Sequence, residues 1–508
     1  MLVQCMGAAL TGVQAIPITL EVHTAPGLRY FLVGLPDNAV KESERRIEAA
    51  LLNNGYQRPG KQITVNMAPA DIRKEGAAYD LPIAIGILAA SGQIPHEGLS
   101  EYLMMGELAL DGSLRPVRGA LPMTMMAQEM GLKGVILPEA NAREAALVDG
   151  ITLISAAHLR VVTQFFETGD IPALPEGPVT SSEDVDGPDL SEIRGQESVR
   201  RAMEVAACGG HNILLIGAPG SGKTMIARRL PGILPPLNTR EALETTKIHS
   251  VAGKLGRHVG LVQQRPFRAP HHTVSDVALV GGGGHPQPGE ISLAHNGVLF
   301  LDELPEFRRT VLEVLRQPLE DRRVTISRAR FSVEYPAGFM LVAAMNPCPC
   351  GHYNNPDRDC TCGPGVVKKY LNRVSGPLLD RIDLHVEVAP VAVAELQSGR
   401  RGENSEEVRT RVERVRQVQA QRFTRHSGVH VNAQMTPSLL RHFAVPDAAG
   451  KQLMEKAMEK LGLSARAYDR ILKVSRTIAD MEGARDIQAV HVAEAIQYRS
   501  LDRAMWGS

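Results

Sequence analysis

The residues NILLIGAPGSGKT, at positions 212–224, are the strongest indication of how this chain folds. A short apolar run leads into the pattern G-x-x-x-x-G-K-[ST], and a helical pattern follows it. Glycines in such a loop let backbone N–H groups turn towards phosphate oxygens, and the helix N-terminus favours bound anions. We therefore predict a nucleotide site in which Lys223 contacts the β- and γ-phosphates and Thr224 holds Mg²⁺. The alternative is a tight glycine turn with a surface lysine, and the strand–loop–helix context disfavours it.

A second motif, NGVLFLDE at residues 296–303, supplies acidic groups for the same site. Its continuous apolar run is typical of a strand buried on both faces, and it ends in Asp302 and Glu303. One carboxylate can hold Mg²⁺ while Glu303 polarises the attacking water, whereas the alternative is an acid pair that caps a helix. Both motifs together predict hydrolysis of ATP with Mg²⁺. The residues assigned to nucleotide binding are Gly217, Ala218, Pro219, Gly220, Ser221, Gly222, Lys223, Thr224 and Asp302.

Three further positions are candidates for catalysis. Asn346 ends the apolar run FMLVAAMN and can orient water near the γ-phosphate, or it can simply end a strand. Arg381 lies between two aspartates in LLDRIDLH and forms either a surface ion pair or an arginine finger that serves a neighbouring subunit. A helical pattern near the C-terminus carries Arg466, Arg470 and Arg476, of which one is expected to reach the nucleotide.

The chain of 508 residues divides into domains by composition. Residues 1–170 mix strands with helices, including a buried helix over LPIAIGILAAS, and form an α+β domain. The proline-rich residues 171–188 are a linker, residues 189–395 alternate strands and helices as an α/β core, and residues 406–508 are helical. The last region begins with valines at helical spacing, namely Val408, Val412, Val415 and Val418.

The bulk composition excludes some classes of protein. Lys+Arg and Asp+Glu balance at 56 each, so any nucleic-acid surface is a local patch on a neutral protein. The chain shows neither a positively charged signal-peptide start nor an apolar run long enough to span a bilayer. We expect a soluble, cytoplasmic protein with no membrane partner.

Four of the six cysteines cluster in NPCPCGHYNNPDRDCTCGP, residues 346–364. Cys348, Cys350, Cys360 and Cys362 form two Cys-x-Cys pairs, which in a cytosolic chain favour a metal over disulfides. Four thiolates close a tetrahedral Zn²⁺ site of the structural kind, with His352 as a substitute ligand. Free thiols in a polar loop remain the alternative.

The order of the motifs resembles the magnesium-chelatase-like AAA+ ATPases of the ComM/YifB group. LFLDE, AAMNPCPCG, LLDRIDLH and SARAYDRILKVSRTIADM carry the resemblance, which runs nearly the full length. It implies an AAA+ P-loop core with a helical C-terminal lid, assembled as a homo-hexamer. It also implies that Asn346 is sensor 1, Arg381 the finger and Arg466 sensor 2.

The N-terminal stretch KEGAAYDLPIAIGILAASG resembles the ChlI-type fold shared with the Lon protease domain and a RadA-type recombination helicase. The Lon pattern would put a nucleophilic serine near Ala78 and a lysine near Leu121, and both are absent. We therefore expect no peptidase activity and a scaffold or DNA-contacting role.

Basic residues in two stretches are candidates for DNA contacts. EDRRVTISRARFSVEYPAG, residues 320–338, is typical of a β-hairpin, whose arginines form either a solvated face or sequence-independent phosphate contacts. The resemblance favours phosphate contacts. In APHHT, His271 and His272 are expected to point apart on a strand and to bind no metal. The assigned hairpin residues are Arg322, Arg323, Arg328 and Arg330.

The resemblance implies an ATP-dependent DNA translocase or helicase that promotes branch migration of recombination intermediates during natural transformation or homologous recombination. The DNA partner would be single-stranded, forked or branched. Two alternatives stay open: a chelatase-type motor subunit, which the fused N-terminal domain disfavours, and an AAA+ protein-remodelling chaperone.

Overall fold

The computed structural model describes residues 1–174, 187–256, 260–283, 286–328, 331–353, 358–391 and 402–499. Most of the predicted linker therefore lies outside the described residues. Contacts within the chain define two compact units. The N-terminal unit comprises Met1–Glu183 and Thr239–Gln263, and the C-terminal unit comprises Asp184–Asn238 and Gln264–Ser508. No helix within the described ranges is long and apolar enough to cross a membrane.

Strands and helices alternate through most of the described ranges, and helices alone follow residue 402. The strands are β1 (Leu2–Thr11), β2 (Gln14–Ala25), β3 (Tyr30–Val33), β4 (Gln62–Ala68), β5 (Tyr102–Met104), β6 (Glu107–Leu108), β7 (Leu114–Arg115), β8 (Gly134–Pro138), β9 (Thr152–Ala156), β10 (Ile213–Ile216), β11 (Phe267–Arg268), β12 (Gly281–Gly282), β13 (Gln287–Pro288), β14 (Val298–Leu301), β15 (Arg323–Arg328), β16 (Phe331–Pro336), β17 (Met340–Met345) and β18 (Leu384–Glu387). The helices are α1 (Asn38–Lys41), α2 (Ser43–Asn53), α3 (Asp80–Ala90), α4 (Ala120–Glu129), α5 (Ala142–Ala145), α6 (Leu159–Thr168), α7 (Glu197–Gly209), α8 (Lys223–Ala227), α9 (Leu230–Ile233), α10 (Thr239–Val251), α11 (Asp276–Val280), α12 (Glu290–Leu293), α13 (Arg309–Val314), α14 (Arg316–Asp321), α15 (Pro364–Leu371), α16 (Gly376–Leu379), α17 (Ser405–Phe423), α18 (Pro437–Phe443), α19 (Ala448–Leu461), α20 (Ala465–Met481) and α21 (Ala489–Gln497).

The N-terminal unit is built on a mixed seven-stranded sheet of order β3-β4-β2-β1-β5-β8-β9. β1 and β2 form an antiparallel hairpin, whereas β5, β8 and β9 continue the sheet in parallel. Every residue of α3 is buried, as the unbroken apolar stretch predicts. The Asp80 carboxylate at the start of this helix accepts two hydrogen bonds from Arg46, at 2.7 and 3.0 Å, which compensates its burial.

One helix of the N-terminal unit comes from a distant part of the chain. α10 lies within residues 189–395, which the sequence assigned to the α/β core, yet its contacts group it with the N-terminal residues. The Ser250 hydroxyl donates to the buried carboxylate of Glu144, and the Gly119 amide donates to the Ser250 carbonyl at 3.2 Å. The residues that follow α10 also belong here, since the Val262 amide donates to the Thr246 hydroxyl at 3.0 Å.

The C-terminal unit contains a five-stranded sheet of order β11-β14-β17-β10-β18 in which every neighbouring pair is parallel. All four residues of β10 are buried, as are all four of β14 and all six of β17. The predicted α/β fold is therefore confirmed. The first strand of this sheet in the chain, β10, lies between the fourth and the fifth, so the connection from β10 to β11 and the connection from β17 to β18 run in opposite directions across the sheet. Ligands bind at the carboxyl ends of strands at such a point.

The helical region packs on this sheet and shares its apolar core. α17 begins with a capping box in which the Asn404 side chain accepts from the Glu407 amide at 2.8 Å. Three of the four valines with helical spacing, Val408, Val412 and Val415, are buried, but Val418 is 42% exposed. Gln419 takes the inward position beside it and donates to the Cys208 carbonyl at 3.0 Å.

Candidate functional site

The loop between β10 and α8 has the backbone of a phosphate-binding loop. Gly220 and Gly222 have φ of +78° and +91°, which side chains larger than hydrogen rarely allow. A Cβ at Gly217 would overlap the Val388 carbonyl oxygen and lie 2.8 Å from the Ser221 hydroxyl. The glycines of the motif are therefore required by this geometry, in addition to any bound phosphate.

Lys223 points into the loop and is 8% exposed. Its ammonium donates to the carbonyls of Gly217 and Ala218, at 2.7 and 2.9 Å, and to Asn346 Oδ1 at 3.1 Å. Burial lowers the pKa of Lys223, and the nearby Asp302 and Glu303 carboxylates oppose that effect. Phosphate oxygens are stronger acceptors than these neutral oxygens, so a bound triphosphate would compete for the same donors.

The two predicted Mg²⁺ ligands are adjacent. The Thr224 hydroxyl donates to Asp302 Oδ2 at 2.6 Å, and Asp302 Oδ1 accepts from the Glu303 amide at 2.9 Å. One oxygen comes from the start of α8 and the other from the end of β14. A hydroxyl beside a carboxylate is a donor set that suits Mg²⁺, a hard cation that prefers oxygen ligands.

Glu303 has a strained backbone and a histidine neighbour. Its φ is +52°, a left-handed value that is unusual for a residue with a side chain. Its carboxylate is 58% exposed, and Oε2 lies 3.3 Å from His272 Nδ1. The rings of His271 and His272 lie 4.0 Å apart and tilted by 34°, so the expectation that they point apart is wrong. The chain turns here instead of continuing β11, which brings both rings to one side.

Asn346 follows the last residue of β17 and lies at the nucleotide site through its contact with Lys223. Arg381, in contrast, is 6% exposed, and its side chain contacts other residues of the same subunit. Its guanidinium forms an ion pair with Glu320 at 2.6 Å and donates to the Pro377 carbonyl at 2.6 Å. In this arrangement it presents little surface to a neighbour, and the finger role remains a prediction.

The three arginines of α20 have different environments. Arg470 pairs with the buried Asp383 at 3.0 Å, and Arg476 pairs with the buried Asp480 at 3.0 Å. Buried carboxylates of the same fold therefore compensate both of these guanidinium charges. The Arg466 side chain is exposed and makes no hydrogen bond or ion pair with the described residues. Its side chain is therefore available to a ligand, and its role at the nucleotide stays a prediction.

Gln196 contacts the phosphate loop, although the sequence reasoning did not single it out. Its side-chain amide donates to the carbonyls of Ser221 at 3.0 Å and Ala389 at 2.8 Å, linking the loop to the segment after β18. Its φ of +53° fixes the entry into α7. The only signal in the sequence was a glycine and a glutamine just before a helix.

The four clustered cysteines converge in space. Their sulfur atoms all lie within 4.8 Å of one another, with distances of 3.3 Å for Cys348–Cys350, 3.6 Å for Cys348–Cys360 and 3.5 Å for Cys350–Cys360. A tetrahedral Zn²⁺ with Zn–S bonds of about 2.3 Å requires sulfur separations of about 3.8 Å. The arrangement can hold a metal ion with little adjustment. His352 is not among the clustered ligands of the described residues.

The predicted hairpin is present as β15 and β16, paired from Arg323↔Pro336 to Arg328↔Phe331. Arg322 precedes it, is half-buried and donates to the Gly428 carbonyl at 3.2 Å. Burial lowers the pKa of Arg322 to about 10. Arg323 is exposed and pairs with Glu334 at 3.2 Å. The Arg328 side chain and all of Arg330 lie outside the described residues.

A basic cleft lies beside the acidic motif. Its volume is about 660 Å³, and one acid, Glu306, faces four cations. Glu306 pairs with the cleft residue Arg373 at 2.7 Å, which leaves the cleft with net positive charge. No sequence pattern indicates this cleft, because its cations come from segments far apart in the chain. They are Arg309, Lys368, Lys369 and Arg373.

Comparisons with known proteins identify the family. Profiles described as "Subunit ChlI of Mg-chelatase", "Magnesium chelatase, subunit ChlI" and "Magnesium chelatase, subunit ChlI C-terminal" match residues 20–141, 189–396 and 402–499. The chain is 47% identical over 504 residues to the competence protein ComM of Haemophilus influenzae, covering 98% of this chain and 97% of that one. It is 45% identical over 500 residues to YifB of Escherichia coli, with the same coverage. The chain belongs to the ComM/YifB family.

The ComM/YifB chain also has a more distant relative outside the family. It is 28% identical over 193 residues to Lon protease 2 of Bacillus subtilis, covering 33% of this chain and 34% of that one.

Membership of the ComM/YifB family makes this chain a magnesium-chelatase-family AAA+ protein, and that family indicates ATPase activity. The geometry described above agrees with such an activity.

Proposed function

We propose that this ComM/YifB protein is a cytoplasmic, hexameric ATPase that drives translocation along DNA and branch migration of recombination intermediates. The observation that carries the proposal is the convergence of Lys223, Thr224, Asp302, Glu303 and Asn346 at the carboxyl edge of one parallel sheet. The full-length similarity to a protein named for competence supports a role in natural transformation or homologous recombination.

The site residues have distinct roles in this proposal. Lys223 and the loop amides bind the triphosphate, while Thr224 and Asp302 hold Mg²⁺, which neutralises charge on the phosphates. The Glu303 carboxylate accepts a proton from the attacking water, and the Asn346 amide orients that water. Two arginines complete the proposed site: Arg466 from the helical region contacts the phosphates, and Arg381 serves as the finger in the hexamer.

Glu303 can act as a general base only when its carboxylate is released from the contact with His272. The carboxylate is exposed, and the pair at 3.3 Å is an easily broken surface contact. Arg381 must likewise leave Glu320 before it reaches a neighbouring subunit, so assembly of the hexamer must supply a replacement for that ion pair.

The DNA contacts are proposed for exposed cations. The basic cleft supports binding of a polyanion, because four cations face one carboxylate that is already paired. Arg323, Arg328 and Arg330 remain candidates on the hairpin, while the half-buried Arg322 is a weak one. Contacts of this kind neutralise phosphates without reading sequence, so the affinity must fall as salt rises.

We also propose that Cys348, Cys350, Cys360 and Cys362 bind one structural Zn²⁺. The four sulfur ligands fit a closed tetrahedral site and leave no position for water or substrate.

The proposed activity is tested by strand displacement on forked and three-stranded DNA at physiological salt, with Glu303→Gln as the control. Wild type should displace a strand only with ATP and Mg²⁺, and the variant should bind ATP and DNA but displace none. Failure of wild type to move any DNA refutes the helicase. Stimulation of the ATPase by a porphyrin or a protein instead of DNA would favour the chelatase-type motor or the chaperone.

The contribution of the cleft is tested with Lys368→Glu/Lys369→Glu. We expect weaker DNA binding and a shallower salt dependence, since two phosphate contacts are lost. Lys451→Glu/Lys456→Glu on α19 makes the same change of charge away from the cleft and should leave DNA binding unchanged. Loss of the hexamer with unaltered DNA affinity would instead assign the cleft to subunit contacts.

A further inference from the structure

The segment from Met345 to Gly351, which carries the first cysteine pair, contacts the phosphate loop at both of its ends. At its start, the Gly217 amide donates to the Met345 carbonyl at 3.2 Å, and Asn346 accepts from Lys223 at 3.1 Å. Six residues after Met345, Gly351 packs on Pro219. The segment therefore forms a short arc whose two ends both lie against residues of the phosphate loop.

The contact between Gly351 and Pro219 leaves no room for a side chain. A Cβ at Gly351 would overlap Cδ of Pro219 and lie 2.8 Å from its Cγ. Gly351 also has φ of +82°, and its amide donates to the Cys348 carbonyl at 3.0 Å, which closes a tight turn. The backbone of the arc thus lies directly on the proline ring in the middle of the phosphate loop.

Two of the four clustered cysteines lie inside this arc, and the other two come after it in the chain. Cys348 is fully buried, and its sulfur lies 3.3 and 3.6 Å from those of Cys350 and Cys360. Thiols are weak hydrogen-bond donors and acceptors, so these contacts alone fix the arc poorly. Four metal–sulfur bonds would fix its shape and, through Gly351, the position of Pro219.

We infer that the tetracysteine site, when occupied by Zn²⁺, clamps the phosphate loop from outside and thereby sets the affinity of the protein for nucleotide. The inference rests on the proposed nucleotide site and extends it. A phosphate loop held in its binding geometry spends less free energy on ordering when nucleotide binds. Loss of the metal should therefore weaken nucleotide binding, although no cysteine contacts the phosphates.

The first test uses the full-length protein and two readouts: zinc content per chain and the Kd of a fluorescent ADP analogue. Cys360→Ser/Cys362→Ser changes the second pair, which lies outside the arc, and should remove zinc. We expect the Kd to rise about tenfold, the effect of losing one or two hydrogen bonds to phosphate. Removal of zinc from wild type by a chelator should raise the Kd equally, and added Zn²⁺ should restore it.

A second variant separates the clamp from the metal. Gly351→Ala leaves all four cysteines in place but forces Pro219 to move, so it should retain zinc and still weaken nucleotide binding. Gly363→Ala is the matched control, because Gly363 directly follows Cys362, has φ of −64°, and a Cβ there meets no heavy atom within 4 Å. This control should alter neither readout.

The outcomes distinguish the clamp from the proposed function. Wild type that holds no zinc, or zinc-free protein that binds nucleotide as tightly as zinc-loaded protein, overturns the clamp alone. Normal nucleotide affinity of Gly351→Ala also overturns it. If wild type binds no nucleotide, or Lys223→Ala binds as well as wild type, the proposed nucleotide site itself is refuted. Zinc-dependent nucleotide binding without DNA movement supports the clamp and refutes only the translocase.

Discussion

Asp383 is the most informative position for testing how the helical region is held on the sheet. It precedes β18, is 1% exposed, and forms an ion pair with Arg470 of α20 at 3.0 Å. Its other oxygen lies 3.4 Å from His211 Nδ1 and accepts from the Asn212 amide at 3.0 Å. Burial opposes ionisation, but Arg470 and His211 outweigh it and hold the pKa of Asp383 well below its usual range.

Asp383→Asn keeps the shape and one acceptor oxygen but removes the charge that faces Arg470. Removal of one partner from a buried pair costs about 3–5 kcal/mol because the other charge is left uncompensated. The Arg470 side chain is 18% exposed, so water can solvate its guanidinium and offset part of the lost ion-pair free energy. We therefore expect about 3 kcal/mol of destabilisation. The C-terminal unit spans 300 residues, and an unfolding entropy of about 0.63 kcal/mol/K for that length converts the loss into a Tm lower by about 5 °C.

The measurement is thermal unfolding combined with hydrogen exchange of the amides in α20 and β18. Asp380→Asn, three residues upstream on a half-buried turn, is the control and should change stability by less than about 0.5 kcal/mol. Asp383→Asn/Arg470→Gln should be less destabilised than the sum of the single variants, because no charge is left unpaired. Strict additivity, or a wild-type Tm for Asp383→Asn, would refute this account.

The same ion pair determines a dependence on pH. The pKa of Asp383 in the folded protein lies below the value of about 3.9 in the unfolded chain. Its contribution is therefore complete above about pH 4 and is lost as the pH falls below that value. Burial is the main cause that lowers the pKa of His211 in the fold, so its protonation on unfolding also favours the unfolded chain below about pH 6.5.

The remaining predictions concern the nucleotide site. Glu303→Gln should reduce ATP hydrolysis at least about 100-fold, the usual contribution of a general base, while the Kd for ATP measured by fluorescence stays within about threefold. His272→Ala frees Glu303 from a contact worth less than about 1 kcal/mol, so steady-state ATPase should rise by no more than about fivefold; a 100-fold fall would make His272 part of the chemistry. Arg466→Ala should lower kcat at least about tenfold with an unchanged Tm, because its side chain is exposed. In Arg476→Ala the Tm should fall, because that arginine pairs with buried Asp480.

Much of the nucleotide site could be predicted because its signals are local. A buried strand, a glycine loop and a helix follow one another within 13 residues from Asn212 to Thr224, so their geometry is set by neighbours in the chain. Asp302 and Asn346 each end an apolar strand, and parallel strands bring their carboxyl ends to one edge of a sheet. Their meeting with Lys223 and Thr224 follows from that rule.

Other features depend on contacts between distant segments and left no pattern in the sequence. Arg381 has the spacing of a family motif, but its burial against Glu320 depends on how α14 packs. The adjacency of His272 and Glu303 depends on a turn after β11, and helical spacing alone did not reveal the different environments of Arg466, Arg470 and Arg476. The grouping of α10 with the N-terminal unit likewise cannot be read from chain order.

The amino-acid sequence specifies the family, the alternation of strands and helices, and the residue types of the phosphate loop, because propensity, periodicity and glycine requirements act over a few residues. It also determined that four cysteines were available as ligands. The convergence of those sulfur atoms and the contact of Gly351 with Pro219 arise from the three-dimensional packing of the chain. Close contact between two loops depends on the whole packed unit, and 132 positions separate Pro219 from Gly351 in the chain.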